Sequence, residues 1–129
     1  MMRKLVTIAV LVVAAAMVAA WAAPGPLDGK TFQGEIMEKG KSHGDKDTFI
    51  FSDGKFRSTA CDAYGYDSGA YTATQAGDGW TFTAETHSAK WGTMSWKGTI
   101  KGSSIEGTAT RSKDGKTKAE QVFSGMLKS

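Results

Sequence analysis

From Thr31 onward the chain alternates apolar and polar residues with a period of two, and Gly or Asp-Gly interrupts the alternation at regular intervals. No stretch after Pro26 spaces its apolar residues as an amphipathic helix requires. The pattern predicts eight strands. Residues 31–38 place Phe32, Gly34 and Ile36 on one face, 47–52 place Phe49 and Phe51, 55–61 place Phe56, Ser58 and Ala60, and 69–75 place Tyr71 and Ala73. Next come 80–86 with Trp80, Phe82 and Ala84, and 93–101 with Met94, Trp96, Gly98 and Ile100. The last two are 104–111 with Ile105, Gly107 and Ala109, and 118–127 with Phe123, Gly125 and Leu127. The opposite faces carry mostly Thr, Ser, Lys, Arg and Glu, as in an antiparallel sheet wetted on one side.

The connections predict how the strands are arranged. Residues 52–55, 76–79 and 101–104 are short and Gly-bearing, suited to hairpin turns that need positive φ. They are the even-numbered connections. The odd-numbered ones, 39–46, 62–68, 87–92 and 112–117, read as longer loops. When sequence neighbours pair in space, odd and even connections fall at opposite ends, so one end is closed by tight turns and the other carries the loops. A repeated large-x-Gly-x-aliphatic motif points to closure: Phe32-x-Gly34-x-Ile36, Trp96-x-Gly98-x-Ile100, Ile105-x-Gly107-x-Ala109 and Phe123-x-Gly125-x-Leu127. Glycine on an inner face lets a strand bend sharply and leaves room for a neighbouring ring. The expected fold is all-β, an eight-stranded antiparallel up-and-down barrel, which also removes exposed sheet edges.

The first residues read differently. Met1-Met2-Arg3-Lys4 is basic, Leu5 to Val18 is apolar, and Ala20-Trp21-Ala22 is a small-x-small cleavage pattern followed by a Pro24-Gly25-Pro26 break. Residues 1–22 are therefore expected to be a cleaved signal peptide, and 23–129 a single domain, periplasmic or secreted. Of the 16 Lys and Arg, removal of Arg3 and Lys4 leaves 14 against 13 Asp and Glu. So small a net charge gives no electrostatic argument for nucleic acid or an anionic membrane as partner. The one cysteine, Cys61, cannot make an internal disulfide, so stability must come from the core.

Strand number, meander order and the opening Leu27-Asp28-Gly29-Lys30-Thr31-Phe32 resemble the calycin-like group, the lipocalins, avidins and their small bacterial relatives. The stretches Asp45-Lys46-Asp47-Thr48, Asp53-Gly54-Lys55-Phe56 and Cys61-Asp62-Ala63-Tyr64-Gly65 are also similar to small exported bacterial proteins. The resemblance implies an architecture and a compartment and supplies no chemistry.

Eight strands enclose an interior that side chains either fill or leave open for one small ligand. The inner-face aromatics, Phe32, Phe49, Phe51, Phe56, Tyr71, Trp80, Phe82, Trp96 and Phe123, are numerous enough for the first outcome, while Gly34, Ala60, Ala73 and Ala84 leave space for the second near the loop end. The candidate ligand-binding residues are Phe32, Tyr71, Phe82 and Trp96 from the inner face, and Tyr64, Tyr66 and Trp91 from the loops. His43, Cys61 and His87 have atoms suited to zinc or copper but lack a compact ligand spacing, so no metal or other cofactor is expected. Strand parity sets Cys61 opposite to Phe56, outward or at the rim, and leaves it a small apolar residue, a reactive thiol, or a dimer contact between otherwise monomeric chains. His43, Asp45 and Asp47, among lysines, read as a solvated loop.

Catalytic motifs are poor. Ser52-Asp53-Gly54-Lys55 has Ser-x-x-Lys spacing but sits on a predicted turn, and neither Gly-x-Ser-x-Gly nor His-Glu-x-x-His occurs. The expectation is a non-enzyme that binds a small, partly apolar molecule at the loop end. The alternatives are a barrel that binds a secreted protein, such as an inhibitor of a secreted hydrolase anchored by Tyr64, Tyr66 and Trp91, or a structural envelope protein with a filled core.

Overall fold

The structure, a computed structural model, describes residues 24–128; the predicted signal peptide lies outside the described residues. Eight antiparallel strands run β1 (Thr31–Glu38), β2 (Asp45–Ser52), β3 (Lys55–Ser58), β4 (Gly69–Ala76), β5 (Gly79–Ser88), β6 (Gly92–Lys101), β7 (Ser104–Lys113) and β8 (Lys116–Leu127). Each pairs with its sequence neighbour, and β1 pairs with β8 from Phe32↔Leu127 to Glu38↔Gln121, which closes the barrel. This is the meander that the alternation predicts and the architecture that the calycin-like resemblance implies.

Rings fill the middle of the barrel. All six phenylalanines and Trp96 are buried, with ring centroids 4.8 Å apart for Phe56 and Trp96 and 5.0 Å apart for both Phe49–Phe123 and Phe51–Phe82. The inner-face glycines make this packing fit. A Cβ on Gly98 would stand 2.5 Å from Phe82 Cε1, and one on Gly107 2.8 Å from Phe123 Cζ, so larger residues there would displace the rings. The Trp96 indole N–H donates to Thr86 Oγ1 (3.1 Å), satisfying the one polar group this ring brings into the core.

The even end is plugged by the segment before β1. Leu27 is wholly buried there, and Asp28 binds both its own turn and the barrel: its carboxylate accepts from the N–H groups of Gly25 (2.9 Å) and Gly54 (3.0 Å) and from the Tyr71 hydroxyl (2.8 Å). The same hydroxyl accepts from Leu27 N–H (2.9 Å). Burial raises the Asp28 pKa, but these donors outweigh it and the net shift is downward. Burial and then the Asp28 bond push the Tyr71 phenol up to about 12.

The odd end departs from expectation in four places. β3 stops at Ser58, and Thr59–Tyr64 winds into a 3-10 helix, so the expected strand 55–61 is cut short. β2 begins at Asp45, two residues early, so Asp45 and Asp47 lie on a strand and not in a solvated loop, and Asp47, at the parity of Phe49 and Phe51, is buried. β5 continues to Ser88, so His87 lies on a strand, exposed, and the fifth connection shrinks to residues 89–91. β7 and β8 extend to Lys113 and Lys116, reducing the seventh connection to Asp114 and Gly115, both at positive φ (54° and 75°) as in a tight hairpin turn. Polar strand ends hid that ladder, although its Asp-Gly pair is the same turn signal that Asp53-Gly54 carries. Two long connections, 39–44 and 59–68, therefore stand where four were expected.

Candidate functional site

The 3-10 helix and the residues after it fold over the odd end because several side chains tie them down. Asp47 accepts hydrogen bonds from the Ser58 hydroxyl and the Ala60 N–H (3.0 Å), gripping the start of the helix. Gly65 ends it in a left-handed conformation (φ 80°). Asp67 Oδ1 then accepts from His87 N–H (2.9 Å), and Ser88 Oγ donates to the Tyr64 carbonyl (2.7 Å) while accepting from Trp91 N–H (3.2 Å). These bonds link the third and fifth connections into one rim.

Between this rim and the packed rings lies a cavity of about 200 Å³. Ile36, Met94, Ala60 and Cys61 give it an apolar floor, and Tyr64, Tyr66 and Trp91 supply aromatic walls. The Tyr64 and Trp91 rings meet edge to face at 6.0 Å. Arg111 reaches in from β7: its Nη1 donates to the Trp91 carbonyl (3.2 Å), and its guanidinium lies 5.5 Å from the centre of the Trp91 ring. Glu38, Asp45 and Gln121 complete the polar mouth.

Tyr66 stands apart within this wall. It is 8 % exposed, and its hydroxyl is buried with no hydrogen-bond partner among the described residues. Leaving such a group unpaired costs about 1–3 kcal/mol, and in a native fold it calls for an explanation. Burial raises the Tyr66 pKa, opposed by the charge of Arg111, so the phenol stays protonated and available as a donor at neutral pH.

Three of the seven candidate ligand residues, Tyr64, Tyr66 and Trp91, are brought together here. Phe32, Phe82 and Trp96 belong to the filled core below, and Tyr71 lies at the opposite, plugged end. Cys61 does not point outward. The 3-10 turn resets the strand parity on which that expectation rested and turns the thiol inward, 3.4 Å from Ser58 Oγ. Burial, with the nearby carboxylates of Asp47 and Asp62, raises the Cys61 pKa and keeps the sulfur protonated and poorly nucleophilic. His43 and His87 are exposed, and no three metal-binding side chains cluster among the described residues.

Sequence reasoning missed Arg111, whose signal is visible in retrospect. It continues the inner-face series Ile105, Gly107 and Ala109 by one more step, a charged side chain at a core-facing parity.

Fold and cavity together define a small closed antiparallel barrel with a solid middle, one plugged end and one hollow end. No family model, curated protein or solved structure matches the chain.

Proposed function

We propose that this protein is an exported binding barrel that takes a small, partly apolar molecule in the cavity at its odd end, and that it is not an enzyme. The observation that carries the reading is the cavity itself: an apolar floor, aromatic walls and a buried, unpartnered Tyr66 hydroxyl in about 200 Å³. Concave sites that combine apolar and aromatic surface with convergent polar groups, here Glu38, Asp45, Arg111 and Gln121, are where small ligands bind. Export is supported by the basic, apolar and small-x-small succession in residues 1–22.

The alternative, capture of a secreted protein, needs Tyr64, Tyr66 and Trp91 presented together as anchors. With Tyr66 buried and Trp91 half-buried, Tyr64 alone of the three is exposed, which favours the small molecule. Trp91 also provides the test. Small aromatic and aliphatic probes titrated against intrinsic fluorescence should give a saturable change that Trp91→Phe largely removes. Failure of every probe to give saturation would overturn the proposal.

A further inference from the structure

The cavity joins two unspent hydrogen-bond donors. The Tyr66 hydroxyl has no partner, and Arg111, which uses one of its five N–H groups on the Trp91 carbonyl, forms no salt bridge with a carboxylate among the described residues. Both line the same hollow, close enough for the guanidinium charge to act on the phenol. Resting on the binding reading above, we infer that the ligand is a compact, flat monocarboxylate whose carboxylate oxygens accept from Arg111 and Tyr66 while its hydrocarbon part lies over Met94, Ile36 and Cys61. Arginine is the side chain best matched to a carboxylate, which it binds through two parallel N–H groups.

Size and charge narrow the class. An apolar cavity of ~150 Å³ holds one benzene ring, so about 200 Å³ accommodates a single ring or short branched chain with its carboxylate and nothing much larger. At the mouth, Glu38 is bridged to Lys41 (3.4 Å), and Asp45 is exposed without a salt-bridge partner among the described residues. A second negative charge on the ligand would meet Asp45. The site therefore selects monoanions over dianions.

The test compares benzoate, benzyl alcohol and phthalate by calorimetric titration of the mature protein, wild type and with Tyr66→Phe or Arg111→Met. We expect benzoate to bind at least about tenfold more tightly than either of the others, a ratio corresponding to about 1.4 kcal/mol. Each substitution should weaken benzoate about tenfold, the loss expected when a charge-assisted hydrogen bond is removed, and weaken benzyl alcohol, whose neutral hydroxyl accepts only an ordinary hydrogen bond, by clearly less. Benzoate and benzyl alcohol binding alike, insensitive to both substitutions, would overturn the carboxylate inference and leave the binding cavity standing. No binding by any of the three would overturn both. Thermal melts check that the variants fold, and if Arg111→Met does not, the near-isosteric Tyr66→Phe decides the matter alone.

Discussion

Tyr71 and Tyr66 sit at opposite ends of the barrel, each 8 % exposed, and differ in what their hydroxyls meet. At the even end the Tyr71 hydroxyl both donates and accepts, to Asp28 and from Leu27, and the Asp28 carboxylate goes on to two backbone N–H groups. At the odd end the Tyr66 hydroxyl has no hydrogen-bond partner among the described residues. The four buried polar side chains of the core, Asp47, Ser58, Thr86 and Ser88, also lie toward the odd end, as do both long connections. Those four are hydrogen-bonded within the protein, so what the odd end keeps in reserve is the Tyr66 hydroxyl and the remaining N–H groups of Arg111. If the odd-end cavity binds as proposed, stability and binding lie at different ends of one small core, so that either could be altered without dismantling the other.

That contrast can be broken most forcefully at the plug. Leu27→Ala should cost about 2–5 kcal/mol of unfolding free energy, since truncating the wholly buried Leu27 leaves a hole in the core cluster to which it belongs. Denaturant melts measure it; a loss well under 1 kcal/mol would mean that the segment before β1 is not part of the folded core. Tyr71→Phe should cost about 1–3 kcal/mol, because it strips a hydrogen bond from Asp28 and leaves the Leu27 N–H unpaired.

The carboxylates of the two ends should respond to acid in opposite directions. Asp28 titrates below its ordinary 3.8 in the folded protein, so its contribution is present above that value and is lost as pH falls through the lower, folded-state pKa. Asp47 titrates above 3.8 because burial outweighs its hydrogen bonds; the folded protein binds this proton more readily than the unfolded chain. Its contribution is therefore greatest below 3.8 and declines as pH rises through its raised folded-state pKa. Melting temperatures across the acid range should show Asp28→Asn removing part of the acid loss and Asp47→Asn removing part of the decline toward neutrality. The same sign of change in both variants would contradict the assignment.

The smallest effect is the most telling. Tyr66→Phe, the same substitution as at Tyr71, removes a hydroxyl that has no partner among the described residues, so it should leave stability unchanged or raise it by up to about 1 kcal/mol. A loss comparable to that of Tyr71→Phe would show that the odd end is as self-satisfied as the even one.

Much of the fold was legible because its determinants are local. A period of two, Asp-Gly and Gly-bearing turns, and glycine at inner positions such as Gly98 and Gly107 are properties of neighbouring residues, and they specify strands, hairpins and the bending that closes the barrel. β1 carries its signal whole, and its alternation marks both of its ends, whereas the polar ends of β5, β7 and β8 run past the outermost apolar positions and carry no strand signal of their own. The candidate site was legible only in outline. The parity of the connections places Tyr64, Tyr66 and Trp91 at one end, but it does not separate Phe32, Phe82 and Trp96 from ligand contacts, because periodicity tells which way a ring faces and not whether the rings together fill the space.

What the sequence by itself determined was the meander, its strand faces and the side of the molecule on which the loops gather. The tertiary structure alone decided that the middle is solid, that the 3-10 turn after Ser58 swings Cys61 inward, that Asp47 is buried to hold that turn, and that Arg111 and an unpartnered Tyr66 share one cavity. Each of these depends on volumes and hydrogen-bond partners contributed by other segments of the chain, and the pattern of one strand, which gives Arg111 its core-facing parity, does not tell what the others set against it.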